Sequence, residues 1–124
     1  MQQKNNIKRI TRASLEKILD GNVEDEHLVV IKFYGDECYL CHGLAPIYKD
    51  LANQYSDVIF YVYNMSDEGA YIEKKYGFEG TPSLCVARTG PKSAGYKFLK
   101  EPAKPHRESW YYRDDIRKFI ERYK

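Results

Sequence analysis

Cysteine is scarce, with three residues among 124. That is too few for a small domain stapled by disulfides. An excess of one charge is missing too. Lys and Arg number 20 against 18 Asp and Glu, a formal net charge of +2, which does not demand a nucleic-acid partner. In "RDDIRKFIERYK" (113–124) the signs interleave as on a solvated helix face, not as in a phosphate-binding patch. Long apolar runs are absent. No stretch approaches the length that spans a bilayer, and "MQQKNNIKRI" (1–10) lacks the apolar core of a secretory signal. The expectation is a cytoplasmic chain with no membrane partner. Nothing repeats and no segment is of low complexity, which argues against a repeat architecture.

What is present is an ordinary globular composition, 43% hydrophobic and 31% charged. The length suits a single domain, 1–124, with a real core. The 12 tyrosines are unusual. They favour aromatic packing and surface patches that are both apolar and polar.

"TRASLEKILDGN" (11–22) reads as a helix capped by Thr11, with Leu15, Ile18 and Leu19 on one face and Asp20-Gly21-Asn22 stopping it. "LVVIKFY" (28–34) is a nearly continuous apolar, β-branched run, as in a central buried strand. The apolar spacing then predicts a helix from near Cys38 to about Tyr55, kinked at Pro46. "VIFYVYNM" (58–65) is a second buried strand, so this helix is a parallel crossover. A short helix at 67–76, strands at 83–88 and 96–99 joined by the turn "TGPKSAG" (89–95), and a last helix from near Asp114 complete the chain. The order predicts a mixed sheet with helices on both faces, an α/β sandwich.

Two cysteines, Cys38 and Cys41, stand two residues apart where a buried strand feeds a helix N-terminus. Unpaired amides and the helix dipole favour an anion there, so a thiolate at Cys38 should form more readily than on a free cysteine. Cys41, one turn further on, is close enough to close a small disulfide ring. One sulfur can attack a target disulfide and the other can release it. A structural zinc site wants four ligands, and His27, His42, Cys85 and His106 have no ligand spacing, so no metal is expected. A purely structural disulfide in so short a loop would contribute little. Redox exchange is the reading that the surroundings favour. Cys85 lies in an apolar strand and reads as a small buried hydrophobe.

With these features in place, the sequence resembles the thioredoxin superfamily from about Ile10 to the final helix. The resemblance rests on "VVIKFYGDE" (29–37), on Cys38-Tyr39-Leu40-Cys41, on Pro46 at the kink, and on "YGFEGTPSL" (76–84) with Gly80-Thr81-Pro82. It implies the thioredoxin fold, a three-layer α/β/α sandwich around a mixed sheet. It also implies Cys38 as nucleophile, Cys41 as resolving thiol, and a cis Pro82 packed against the pair. The Thr81 backbone would then pair with an extended substrate segment, with Tyr39 and Tyr34 beside it. In bland terms Pro82 is only a loop punctuator. "WYYRDD" (110–115) is similar to the start of the last helix in disulfide isomerase domains, or simply packs that helix down.

The departures matter. Glu37 stands where common relatives carry Trp, which reduces apolar contact and slightly disfavours a thiolate. Lys32 stands six residues before the nucleophile, where many relatives have a buried Asp, and Val62 takes the place of their lysine. A buried Lys32 would either stabilise thiolates while charged or act as the base for Cys41 while neutral. Otherwise its stem packs and its amine reaches water. His42 either tunes a thiolate or is an exposed helix histidine.

The function expected is a thiol–disulfide oxidoreductase that reduces protein disulfides and needs no bound cofactor. An external reductant, a thioredoxin-reductase-like enzyme or small thiols, would regenerate the monomer. Two alternatives stand beside it. One is an oxidase or isomerase of the protein disulfide isomerase type, and the other is a redox-independent accessory binding subunit. A glutaredoxin fits less well, because 37 residues precede Cys38.

Overall fold

The computed structural model describes residues 7–91 and 95–124. Nine elements follow in order: β1 Lys8–Arg9, α1 Arg12–Leu19, β2 Leu28–Tyr34, α2 Tyr39–Gln54, β3 Ile59–Asn64, α3 Gly69–Tyr76, β4 Ser83–Arg88, β5 Gly95–Phe98 and α4 Arg113–Tyr123. The sheet order is β1-β3-β2-β4-β5. β3 runs parallel to β1 and β2, while β4 is antiparallel to β2 and to β5. This is the mixed sheet expected of the α/β sandwich.

Strand periodicity divides the core cleanly. Leu28 and Val30 of β2 with Leu84 and Val86 of β4 pack against Leu44, Tyr48 and Leu51 of α2 and Ile116, Phe119 and Ile120 of α4. Val29, Ile31 and Phe33 with Cys85 and Ala87 face Leu15 and Ile18 of α1 and Ile72 and Tyr76 of α3. Both faces of β2 are therefore buried, which is why its sequence is apolar without alternation. Tyr48 is fully buried, and its hydroxyl donates to the Tyr61 carbonyl at 2.6 Å, with the Val30 carbonyl at 3.1 Å. It fastens α2 to two neighbouring strands.

The caps follow the sequence. Thr11 accepts the Ser14 amide at 3.2 Å, and Gly77 ends α3 in the left-handed region at φ 75°. Two differences from expectation have physical causes. β1 is only two exposed residues and owes its existence to pairing with Tyr61 and Val62. α3 starts at Gly69, because Ser66 is held in a turn by Asn64 and Asp36 instead of joining the helix. The expected turn at 89–95 lies partly outside the described residues, as do residues 1–6.

Between β5 and α4 the chain makes a long connection that folds back onto α2. His106 and Trp110 exchange both backbone hydrogen bonds, at 2.9 and 3.0 Å. This narrow loop presses the Glu108 carbonyl onto Gly43 so closely that a β-carbon there would overlap it. Gly43→Ala should therefore either push the loop away or shift α2, costing about 1–3 kcal/mol. A urea midpoint equal to wild type would show that the loop yields freely.

Candidate active site

β2 ends at Tyr34, and Gly35-Asp36-Glu37 lead into α2. Cys38 is the helix N-cap, extended at φ −94° and ψ 100°, and its sulfur accepts the Cys41 amide at 3.1 Å. The helix terminus thus turns an unpaired amide toward sulfur, the arrangement that favours negative charge there. Cys38 and Cys41 form a disulfide with Cα atoms 5.2 Å apart. Their exposure differs. Cys41 is 3% exposed and faces the core, whereas Cys38 is half-buried and opens to solvent.

The approach to the pair is built from three segments distant in sequence. Asp36 donates its amide to Ser66 Oγ at 3.0 Å, and its carboxylate accepts from Asn64 Nδ2 at 2.8 Å. These bonds tie the turn before Cys38 to the end of β3. On the other side the Thr81–Pro82 bond is cis. Gly80, at φ 77°, donates its amide to Glu73, and its carbonyl accepts the Ser83 hydroxyl at 2.8 Å. The segments converge at Gly35, where a β-carbon would lie 3.8 Å from Thr81 Oγ1 and 3.9 Å from Cys38 Cβ. Together they enclose an open groove of about 700 Å³ lined by Gly35 to Leu40, Ser66 and Thr81.

The residues singled out from sequence separate as follows. Tyr39, 70% exposed, and the exposed Glu37 line the groove with Cys38 and Thr81, while Tyr34 does not. His42 is exposed, and its Nε2 lies 3.3 Å from the Asp36 carbonyl, which links the first turn of α2 to the preceding turn. Pro82 is buried behind Thr81. Asp36, Asn64 and Ser66 went unread in the sequence, and the signal that finds them is topological. Parallel β2 and β3 end side by side, and sites in α/β sheets collect at such carboxyl ends.

Lys32 is buried, 6% exposed, in register between Val62 and Leu84. Its ammonium lies 5.0 Å from the Tyr48 ring centre, so it occupies the layer between the sheet and α2, the helix face that also carries Cys41. No ion pair reaches it among the described residues. Burial pulls its pKa from 10.5 to about 8. Cys85 lies on the opposite face of the sheet, fully buried among apolar side chains, and desolvation pushes its thiol pKa far up. It takes no part in this site.

An accessible sulfur at a helix N-cap, a second sulfur beneath it and a cis-proline loop alongside define a thiol–disulfide protein of thioredoxin architecture. Comparison with known proteins agrees. The thioredoxin family profile matches residues 7–104, and the chain belongs to that family. It is 29% identical over 80 residues to Thioredoxin H2-1 of Oryza sativa subsp. japonica, covering 64% of this chain and 57% of the relative. It is 30% identical over 77 residues to Thioredoxin 1 of Synechococcus elongatus, covering 62% and 68%. The match thus spans little more than half of the rice protein's length. In three dimensions it superposes on a chain of the ferredoxin:thioredoxin reductase–thioredoxin f2 complex with a TM-score of 0.68 at 17% identity, covering 94% of each. The domain is thus a thioredoxin-family domain that carries a Cys38–Cys41 pair able to form a disulfide. Among the described residues no helix is long and apolar enough to cross a membrane, and no His, Cys, Asp and Glu cluster has the makings of a metal site.

Proposed function

We propose that the protein reduces disulfides in other proteins, with Cys38 as the attacking sulfur and Cys41 as the resolving one. The observation that carries this assignment is the unequal burial of the pair. Only Cys38 opens into the groove, while Cys41 is 3% exposed beneath it. The Cys38 thiolate displaces one sulfur of a substrate disulfide and forms a mixed disulfide. The Cys41 thiolate then displaces the substrate's sulfur from Cys38. The substrate leaves with two thiols, and the domain keeps the two-electron oxidation as Cys38–Cys41.

Thr81, which lines the groove with Tyr39 and is flanked by Gly80 and the cis Pro82, is the backbone that an extended substrate segment would lie against. Lys32, Glu37 and His42 are the groups assigned to adjust the sulfurs, Lys32 from the buried layer between the sheet and α2. No bound cofactor is needed, because the electrons reside on sulfur. An outside reductant regenerates the dithiol. That a thioredoxin f2 of the same fold is found with ferredoxin:thioredoxin reductase supports an enzyme of the reductase class in that role, with small thiols as the substitute. The reading is of a monomer working in a reducing compartment, the cytoplasm.

The direction of electron flow is tested by the reduction potential, measured by equilibration with thiol buffers and trapping of free thiols. A value near about −270 mV is expected for a reductant. One at about −180 mV or above would make the domain an oxidase or isomerase instead.

A further inference from the structure

Away from the dithiol, the sheet ends at β5, which pairs with β4 alone. Along Tyr96–Phe98 its other edge pairs with no further strand among the described residues. Alongside it, α4 leaves a groove of about 400 Å³ against β5 and the residues that follow it. The walls are strongly cationic. Lys97 and Lys100 stand on the strand side, Lys118 and Arg122 on the helix side, and all four are exposed. Asp115 is the single acid among the lining residues. Lys118 pairs with Asp114 at 3.2 Å, while Lys97, Lys100 and Arg122 have no ion pair among the described residues. The interior is apolar, with Leu99, Phe119 and Tyr123 lining it.

We propose that this groove is a docking site for an extended acidic segment of a partner protein, whose carboxylates meet the cationic rim and whose apolar residues enter between β5 and α4. Two independent features select that occupant. Four cations against one acid, in a chain of net charge only +2, call for negative charge on the partner. The terminal position of β5, at Tyr96–Phe98, calls for an extended backbone, which can continue the sheet while alternate side chains point into the groove. The face lies on different elements from the Cys38 groove. A bound partner would therefore leave the dithiol open, and the site would hold a protein on the domain independently of exchange.

The test uses the whole chain and a fluorescein-labelled peptide that alternates glutamate with leucine. A matched peptide alternating lysine with leucine is the control. Anisotropy should show saturable binding of the acidic peptide only, weakening as salt rises. Amide shift changes should map to 95–99 and α4. Reversing one charge on each wall, Lys97→Glu with Arg122→Glu, should weaken binding about tenfold. Disulfide exchange by that variant should equal wild type, which also shows that it folds. Unchanged affinity in the variant overturns the proposal, as do shifts confined to the Cys38 groove or equal binding of the lysine peptide. A groove that instead seats phosphatidylserine vesicles, or a second copy seen by sedimentation, overturns it as well.

Discussion

Serine in place of Cys41 should stop the reaction halfway, with a substrate protein held covalently on Cys38. The buried position of Cys41 explains why. It is the only described sulfur beside Cys38, since the third cysteine lies on the far face of the sheet. Without it the mixed disulfide has no intramolecular resolving thiol, and release falls to whatever free thiols are in solution. Cys38→Ser should give the opposite picture. No adduct forms, and exchange drops by at least about 10³-fold, because no other thiol lines the groove. Non-reducing electrophoresis and intact mass spectrometry against a disulfide substrate read both outcomes at once. An adduct on Cys41 in the Cys38→Ser protein would reverse the assigned roles.

Lys32→Met should make the protein more stable at neutral pH and change the pH dependence of its chemistry. The drop in pKa from 10.5 to about 8 corresponds to about 3 kcal/mol of cost in charging a buried amine. Below pH 8 the folded protein carries that charge and bears the whole cost. Between pH 8 and 10.5 the unfolded chain binds more protons than the folded one, so wild-type stability climbs with pH. Methionine fills much the same space without a charge. Its advantage should be about 2–3 kcal/mol at pH 7 and should shrink steadily as pH rises from 8 towards 10.5. Urea unfolding of both proteins at pH 7 and pH 10 checks this, and an identical difference at the two pH values would refute it. In exchange assays the same variant should move the pH profile in the region around 8. An unmoved profile would restrict Lys32 to a structural part.

These expectations show which parts of the molecule are legible in the linear sequence. β2 is read to the residue, because burial on both faces leaves an unbroken apolar run. α2 is read nearly as well, because Leu44, Tyr48 and Leu51 repeat at helical spacing and Cys38 caps it. β1 is invisible, since Lys8 and Arg9 carry no strand pattern and are placed only by their partner strand. Asp67 looks like the start of α3, but Ser66 just before it is claimed by a hydrogen bond from Asp36, thirty residues away in the chain, and the helix begins at Gly69. Gly43 gives no signal at all. In a helix it reads as a modest cost, and only the Glu108 carbonyl pressed against it explains the choice. At the site itself, the sulfurs are readable from spacing, and the cis proline at Pro82 only through the family resemblance. The walls contributed by Asp36 and Ser66 depend on which strand ends the topology brings together.

Cys85, set aside by the chemistry, supplies the molecule with a built-in clock. In the oxidised protein it is the one free thiol, and it is wholly covered within β4, next to the central strand β2. A thiol reagent can reach it only when that part of the sheet opens. Its rate of labelling therefore counts openings of the core rather than events in the groove. The same sample, once reduced, adds Cys38 in the groove to the count, so a single reagent reads the integrity of the fold and the state of the disulfide on separate timescales.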